Sequence, residues 1–245
     1  ENPRFQKFMK IADSFRKLGV RANADTPADA QRAREFGAEG IGLFRTEHMF
    51  YGKGAEKPLF ALRKMILSGS QAERRKAVDE LFPFVKKDIK ATLESMNGLP
   101  VTVRLLDPPL HEFIPHSRDQ QLEISKVLKI SHDEFRKRAD SLKESNPMMG
   151  HRGVRLGVTY PEVTEMQVRA ILESAAELIK AKKKCKPEIM IPVTCDPNEL
   201  KNQKAIVERV AEEVRKKFKM KELEYMVGTM IEIPRAALLA DRMAE

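Results

Sequence analysis

The segment VTVRLLD (Val101–Asp107) is an apolar run rich in β-branched residues, and it predicts a buried strand with an arginine near its carboxyl end. Before it, Ala72–Met96 has the apolar spacing of a long helix, and after it Pro115–Ser145 is polar and helical. The same alternation of strand and helix continues outward in both directions. Repeated units of this kind predict an α/β fold with a parallel sheet and helices outside it.

The full pattern contains about six predicted strands and a matching series of helices. The strands are Gly19–Thr26, Gly40–Glu47, Val101–Asp107, Asn146–Tyr160, Glu188–Thr194 and Tyr225–Ile233. The remaining predicted helices are Phe5–Leu18, Ala28–Phe36, Pro161–Lys184, Asn198–Lys219 and one opened by Pro234. An open doubly wound sheet and a closed (β/α) barrel both fit this order. No G-x-G-x-x-G turn follows the first strand, which counts against a dinucleotide-binding fold.

The composition predicts one globular domain. The 245 residues are 42% hydrophobic and 33% charged, enough for one core and a well-solvated surface. No apolar run approaches the roughly 18–20 residues of a membrane span, so no membrane partner is expected. The two cysteines, Cys185 and Cys195, lack the spacing of a zinc site or disulfide framework. A reducing, cytoplasmic location is the expectation, with an organellar one still open.

The net charge of +9 raises the question of a nucleic-acid partner. The lysines cluster at Lys182–Lys186 and around Arg215–Lys221, where no aromatic residues are interleaved with them. Binding of single strands typically uses aromatic side chains beside the cations. We therefore expect solvated helix faces and no nucleic-acid partner, with a polyanion or an anion funnel as the alternatives.

Arginines follow three of the predicted strands at equivalent places: Arg45 in GLFRTE, Arg104 in VTVRLLD, and Arg152 with Arg155 in GHRGVRL. Carboxyl ends of parallel barrel strands meet at one mouth, so these guanidinium groups are expected to face one small volume. Guanidinium matches phosphate and carboxylate with two parallel hydrogen bonds. The pattern favours an anion site, and separate surface ion pairs are the alternative.

Glu232 stands in the apolar stretch YMVGTMIEI, where a buried carboxylate is costly unless paired or metal-bound. Mg²⁺ takes carboxylate and substrate oxygens together, so Glu232 is a candidate metal ligand, with an ion pair as the alternative. Asp107 and Glu47 are weaker candidates, and His151 is the histidine best placed for a substrate contact. Cys195 is expected to be a core or loop thiol because no activating base is assigned.

Several longer sequence motifs closely resemble those of the pyruvate phosphate dikinase family of phosphoenolpyruvate-utilising enzymes. They are GIGLFRTEHMF (Gly40–Phe50), PVTVRLLDPPLHEFIPH (Pro100–His116), NPMMGHRGVRLGVTYPEV (Asn146–Val163), PEIMIPV (Pro187–Val193) and VGTMIEIPRAAL (Val227–Leu238). Their order matches the C-terminal phosphoenolpyruvate/pyruvate-binding domain of that family. Shorter parts resemble phosphoenolpyruvate synthase and enzyme I of the bacterial sugar phosphotransferase system.

The resemblance implies a (β/α)₈ TIM-type barrel that interconverts phosphoenolpyruvate and pyruvate with Mg²⁺. A phosphohistidine on a swivelling domain would carry the phosphoryl group, and a nucleotide-binding domain would use ATP and phosphate. By motif match, Arg45, Arg104 and Arg152 resemble the catalytic arginines that bind the substrate, and Glu232 resembles a carboxylate that binds both metal and substrate. The related enzymes are homodimers through this domain.

The sequence departs from the family pattern at its end, since neither a GTNDL-type nor a CGEH-type motif occurs. These motifs supply the second metal carboxylate and the proton-donating cysteine, whose context neither Cys185 nor Cys195 matches. We therefore expect residues 1–245 to form a partial barrel domain with about the first six strands, truncated at the C-terminus and inactive alone. A non-catalytic anion-binding module is the alternative.

Overall fold

A computed structural model describes residues 2–51, 54–107, 109–146, 148 and 150–245. Within these residues, five strands form a single sheet in which every pairing is parallel. Each strand pairs with the next one along the chain, so the spatial order equals the sequence order. The strands are β1 (Ala22–Asn23), β2 (Ile41–Arg45), β3 (Pro100–Arg104), β4 (Lys186–Ile191) and β5 (Met226–Thr229). The predicted α/β fold with a parallel sheet is confirmed.

Helices occupy most of the remaining described chain. They are α1 (Pro3–Phe15), α2 (Pro27–Glu35), α3 (Glu56–Leu67), α4 (Gln71–Ser95), α5 (Arg118–Leu128), α6 (His132–Ser141), α7 (Gly153–Thr159), α8 (Pro161–Lys180), α9 (Pro197–Lys217), α10 (Pro234–Leu238) and α11 (Ala240–Ala244). Two 3₁₀ turns, Thr46–Phe50 and Leu110–Phe113, follow β2 and β3. The helical insertions predicted between strands are therefore present.

The sequence fixes where several helices begin. Thr26 Oγ1 accepts the N–H of Asp29 at 3.1 Å and caps α2, while Asp196 and Glu199 form a reciprocal capping box at α9. Such caps satisfy backbone donors that have no partner within the helix. Proline at the first turn of α8, α9 and α10 is compatible with helix because its missing N–H is not needed there.

The core lies between the sheet and a layer made by α2, α4, α8 and α9, which contact one another in that order. Val101 and Val103 of β3 are buried in this core. Thr102 and Arg104 alternate with them and therefore face the other side of the sheet. On that side Glu188 accepts hydrogen bonds from Thr102 and Arg21, both at 2.6 Å. One face of the sheet is thus apolar, and the other carries polar and charged groups.

The fourth predicted strand, Asn146–Tyr160, is wrong. Its C-terminal half is the helix α7, and its residues 147 and 149 lie outside the described residues. The N–H of Val154 donates to the carbonyl of Pro192 at 3.0 Å, so the segment lies across the end of β4 instead of joining the sheet. The structure therefore has five strands in its described part, where the sequence predicted about six.

The last strand is also shorter than predicted. The apolar run Tyr225–Ile233 indicated a strand of nine residues, but β5 ends at Thr229, and Glu232 lies beyond it. Both Ile231 and Glu232 are exposed.

Within the described residues, no helix combines the length and the apolar character that crossing a bilayer would require.

Candidate functional site

Arg45 and Arg104 are neighbours at the carboxyl ends of adjacent strands. Their Cα atoms are partners in the parallel ladder between β2 and β3. Residues paired in this way project their side chains to the same face of a sheet. The strand-end pattern in the sequence therefore placed two arginines together.

Arg104 is largely buried and is held by two carboxylates. Its Nη2 donates to Oε1 of Glu47, in the 3₁₀ turn after β2, and its Nη1 lies 3.4 Å from Oδ2 of Asp107. The side chain of Arg104 is 12% exposed, and that of Asp107 only 2%. Burial of a guanidinium group is tolerated because these counterions replace its hydration.

Arg152, the residue immediately before α7, belongs to the same cluster. Its Nε and Nη2 donate to the two carboxylate oxygens of Asp107 at 3.1 and 2.9 Å, and Nε also contacts the Asp107 carbonyl at 3.0 Å. The hydrogen bond from Arg152 to Asp107 raises the pKa of the guanidinium, which stays charged. Asp107 therefore links Arg104 and Arg152 through one carboxylate.

Arg45 has a carboxylate of its own. Its Nε and Nη2 donate to Oδ1 and Oδ2 of Asp25 at 2.9 and 2.5 Å, and His48 Nδ1 lies 3.5 Å from the same Oδ2. The hydrogen bond from Arg45 lowers the pKa of Asp25 below its usual value, and the charges of His48 and Arg104 act in the same direction. Asp25 is thus ionised at neutral pH, and each of the three arginines has a negative partner.

Glu232 lies near this cluster but in a different environment from the one predicted. It is exposed, and Oε1 accepts the N–H of Val193 at 2.7 Å. Its charge contributes to the raised pKa of Arg152, which places the two groups within electrostatic range. The expectation of a buried carboxylate inside a strand is wrong because β5 ends three residues earlier. The arginines and Glu232 nevertheless share one end of the sheet.

The backbone under the site is held by a buried polar chain. Thr46 Oγ1 donates to the carbonyl of Arg104 at 3.1 Å and accepts from Nε2 of Gln167 at 2.9 Å. Gln167 in turn accepts the N–H of Leu106 at 3.0 Å. These bonds connect the ends of β2 and β3 to α8, so the arginine-bearing strand ends have fixed positions.

A close backbone approach fixes the Arg152 segment against β4. Gly153 has φ +55°, and a Cβ there would lie 2.6 Å from Cγ2 of Val193 and 3.0 Å from the Pro192 carbonyl. Val193 itself has φ +61°, which is unusual for a β-branched residue. The N–H of this strained residue is the one that Glu232 accepts. The packing thus ties Arg152 and Glu232 to one turn.

Two buried atoms of the cluster are left without partners. Glu47 Oε2 and Arg104 Nε form no hydrogen bond with any described residue. A buried donor or acceptor in this condition is costly unless another group completes its hydrogen bonding. Arg104 Nε is an unused donor for an anionic oxygen, and Glu47 Oε2 is an unused acceptor for a hydroxyl group or a cation.

Glu232 is the residue of this site that was predicted to bind a divalent cation. Glu232 offers one carboxylate, and no hydrogen bond to Oε2 occurs within the described residues. Carboxylate oxygen suits Mg²⁺, which retains several water or substrate oxygens when few protein ligands are present. The described ranges contain no group of three or more histidine, cysteine, aspartate or glutamate residues that would enclose a metal. Glu232 therefore fits as a single ligand.

Other residues named from the sequence lie outside the cluster's contacts. Nη1 of Arg155 donates to the Gly150 carbonyl at 2.9 Å and braces the preceding loop. The ring of His151 packs edge-on against Tyr160, and burial lowers the pKa of this histidine. Burial raises the pKa of Cys185 to about 11, so that thiol is protonated at neutral pH. Cys195 is half-buried at the N-terminal cap of α9.

Sequence reasoning missed two contributors and undervalued two others. Asp25 lies two residues beyond the end of β1, so the strand-end rule that selected the arginines would have found it. Gln167 lies within α8 with no local signal of its role. Asp107 and Glu47 were ranked low, yet they are the buried partners of the arginines.

The known proteins that this chain resembles are phosphoenolpyruvate-utilising enzymes. A family model described as "PEP-utilising enzyme, PEP-binding domain" matches residues 1–245. A relative from Clostridium symbiosum named "Pyruvate, phosphate dikinase" is 51% identical over 242 residues, which cover 98% of this chain and 27% of that protein. A relative of the same name from Giardia intestinalis is 49% identical over 240 residues, covering 98% and 27%.

A third relative, "Pyruvate, phosphate dikinase 1, chloroplastic" from Arabidopsis thaliana, is 47% identical over 246 residues, covering 100% of this chain and 25% of that protein. The chain thus spans about a quarter of the length of the curated relatives it matches.

Proposed function

This chain belongs to the PEP-binding domain family of PEP-utilising enzymes, and from that premise we propose that Arg45, Arg104 and Arg152 bind phosphoenolpyruvate. The observation that carries the proposal is the bridge in which Asp107 holds Arg104 and Arg152 together, beside Arg45 on the adjacent strand. Phosphoenolpyruvate carries a phosphate and a carboxylate, and guanidinium groups recognise both. An incoming phosphate would share these donors with the carboxylates that now occupy them.

The chemistry that these residues support is stabilisation of negative charge during phosphoryl transfer. Such transfer is catalysed mainly by positioning the groups and neutralising charge on the oxygens in motion. We assign Arg104 and Arg152 to the phosphate and the developing enolate oxygen, with Arg45 completing the set. Asp107 and Glu47 would keep the guanidinium groups oriented before the substrate arrives.

Glu232 is proposed to bind both Mg²⁺ and substrate at the edge of this cluster. When bound, the metal would act as a Lewis acid toward the oxygens of the substrate. The hydrogen bond from Val193 to Oε1 would fix the carboxylate while Oε2 stays available. The charge of Glu232 acts on Arg152, so the two groups would serve the same bound ligand.

We extend the proposal to the architecture and to the longer enzyme. A parallel sheet in sequential strand order, with helices on one side, is compatible with the wall of a (β/α)₈ barrel. The relatives are named pyruvate, phosphate dikinase, and we propose that this chain supplies the phosphoenolpyruvate/pyruvate site of such an enzyme. A phosphohistidine domain and a nucleotide-binding domain would then be its partners, and a homodimer its assembly.

Calorimetric titration of the 245-residue chain with phosphoenolpyruvate and Mg²⁺ tests the assignment. Arg104→Lys keeps the charge but loses the planar fork, so we expect binding to weaken by about tenfold or more. The matched control is Arg136→Lys on the exposed face of α6, which should bind like the unsubstituted chain. Equal affinity of Arg104→Lys and the control, with both folded by circular dichroism, would contradict the proposal.

A further inference from the structure

A cavity lies away from the arginine cluster. It has a volume of about 670 Å³ and opens between α3, α4 and α5. Leu59 and Phe60 of α3, Phe84 of α4 and Ile124 of α5 supply an apolar wall. No residue of the arginine cluster lines this cavity. Its volume falls within the range of small-molecule sites, roughly 300–1,000 Å³.

Arg63 of α3 lines this cavity. Its Nε donates to the Phe113 carbonyl at 2.7 Å, and within the described residues no carboxylate forms an ion pair with it. Burial lowers the pKa of Arg63, and no neighbouring carboxylate opposes that effect. Other half-buried arginines are compensated, as Arg74 is by Glu162 and Arg152 by Asp107. The two Nη groups of Arg63 form no hydrogen bond with any residue in the described part of the chain, and a partly desolvated guanidinium of this kind is a binding group for an anion.

The acidic residues of the cavity restrict the charge of its ligand. Glu80 is paired with Lys64, so its charge is already balanced. Glu56 and Glu123 also line the cavity, together with Lys57, and none of these carboxylates reaches Arg63. Glu56 and Glu123 would repel a ligand more strongly the more negative charge it carries, so the lining favours a single carboxylate placed at Arg63. The charges that line this cavity therefore favour a ligand with less negative charge than phosphoenolpyruvate.

We propose that the cavity between α3, α4 and α5 is a second ligand site, which binds an organic monocarboxylate with an aromatic or aliphatic body. The carboxylate pairs with the free edge of the Arg63 guanidinium. The apolar body lies on Leu59, Phe60 and Ile124. The site is independent of the proposed phosphoenolpyruvate site, because the two share no residue.

The test compares two probes of similar shape, 4-phenylbutyrate and the neutral 4-phenylbutan-1-ol, by titration against the full chain. Since a charge-assisted pair is lost in the alcohol, we expect phenylbutyrate to bind about tenfold or more tightly. Arg63→Gln should abolish that preference, whereas the control Arg136→Gln should retain it. Equal binding of both probes, retention of the preference in Arg63→Gln, or no binding in the millimolar range would overturn the proposal.

A second measurement uses the unsubstituted chain and so does not depend on how Arg63→Gln folds. In methyl-labelled protein, phenylbutyrate should shift the resonances of Leu59 and Ile124 and leave Leu238, on exposed α10, unchanged. Phenylbutyrate should also stay bound when phosphoenolpyruvate is added. Shifts confined to other methyl groups, or displacement by phosphoenolpyruvate, would place the ligand elsewhere and overturn the assignment.

Discussion

Asp107 is a buried carboxylate that contacts two of the three arginines, Arg104 and Arg152. It is 1% exposed and accepts two hydrogen bonds from Arg152, while Arg104 lies 3.4 Å from the same oxygen that Arg152 Nη2 contacts. Removing one partner of a buried ion pair leaves the others uncompensated, which costs more than the pair contributes in net terms. The site therefore has a structural dependence on a residue that is not itself proposed to bind phosphate.

The substitution Asp107→Asn tests this dependence. It keeps the shape of the side chain but removes its charge, so Arg152 and Arg104 lose a counterion in a buried place. We expect the free energy of unfolding to fall by about 3 kcal/mol. Urea denaturation followed by circular dichroism would measure the change.

Asp140→Asn is the matched control, because Asp140 is paired with Lys143 on the surface, where its side chain is 57% exposed. Surface ion pairs contribute little to stability, so this substitution should have a much smaller effect. Equal stability losses in the two variants would mean that Asp107 is no more important than an ordinary surface carboxylate.

Arg45 and Arg104 were predictable from sequence because a simple geometrical rule applies to strand ends, whereas Arg152 immediately precedes the helix α7 and does not end a strand. Carboxyl ends of parallel strands meet at one edge, and Arg45 and Arg104 were placed correctly by their positions in apolar runs. Glu232 was misjudged, since an apolar run does not mark where its strand ends. The link through Asp107 depends on tertiary packing between β3 and α7, which one-dimensional spacing does not contain.

Among the helices, a charged network links α4, α8 and α9 beneath their apolar contacts. Glu173 of α8 is 2% exposed and accepts from Lys86 of α4 at 2.8 Å and from Lys217 of α9 at 2.6 Å. Burial opposes ionisation of Glu173, but the hydrogen bonds from Lys217 and Lys86 outweigh it, so its pKa lies below the usual value. A carboxylate with a depressed pKa stabilises the fold above its unfolded pKa, and this stabilisation is lost as the pH falls through the folded pKa.

Lys86→Met removes one of the two cations from Glu173. Because Lys217 remains, we expect a loss of about 2 kcal/mol in the free energy of unfolding at pH 7. The difference from the unsubstituted chain should shrink as the pH falls through the lowered pKa of Glu173, because the carboxylate is then protonated and no longer pairs with lysine. Urea titrations at pH 7 and at acidic pH would show both effects.

The control is Lys87→Met, one residue away and exposed. It removes the same charge from the same helix without touching Glu173, so its effect should be small and nearly independent of pH. A pH-independent loss in Lys86→Met would show that packing of the lysine stem, and not the charge on Glu173, accounts for its contribution.

Most helices were predictable because their caps and apolar spacing are local properties. The helix predicted at Ala72–Met96 is α4, Gln71–Ser95, and its N-cap Ser70 accepts the N–H of Glu73. Gly153–Thr159 falls within Asn146–Tyr160, a segment with three glycines and two arginines that was predicted to be a short strand with its loop. Its conformation is decided elsewhere, by the positive φ of Gly153 and the hydrogen bond from Val154 to Pro192.

The sheet ends on each side in an edge strand. Within the described residues, β1 pairs only with β2, and β5 pairs only with β4. The β5 edge is the more prone to association with another chain, since Met226 is 66% exposed and Gly228 is also exposed. An open strand edge with apolar side chains is a template for pairing with another chain.

We expect the chain to self-associate through β5, and Met226→Lys to weaken this association. Loss of one large buried apolar contact should raise the dissociation constant about tenfold. Sedimentation velocity across a range of protein concentrations would measure it. Val127→Lys on α5, where the valine is 49% exposed, adds the same charge elsewhere and should leave association unchanged.

If the unsubstituted chain is monomeric over the whole concentration range, or if Val127→Lys dissociates it equally, β5 is not the contact.

The fold class behind this prediction was available from sequence, because alternating strands and helices imply a parallel sheet. The number of strands was not, since the α7 segment and the shortened β5 are set by long-range contacts.

The sequential order of the strands has a consequence for synthesis. Because each strand pairs with the one that precedes it, the sheet can grow in the order in which the ribosome delivers the chain. β2 reaches β1 after one short helix, whereas β4 reaches β3 only after α5 to α8 have emerged. During that interval the nascent chain presents β3 as a free edge. Elongation speed across residues 105–185 therefore governs how long a half-built sheet is open to misassembly.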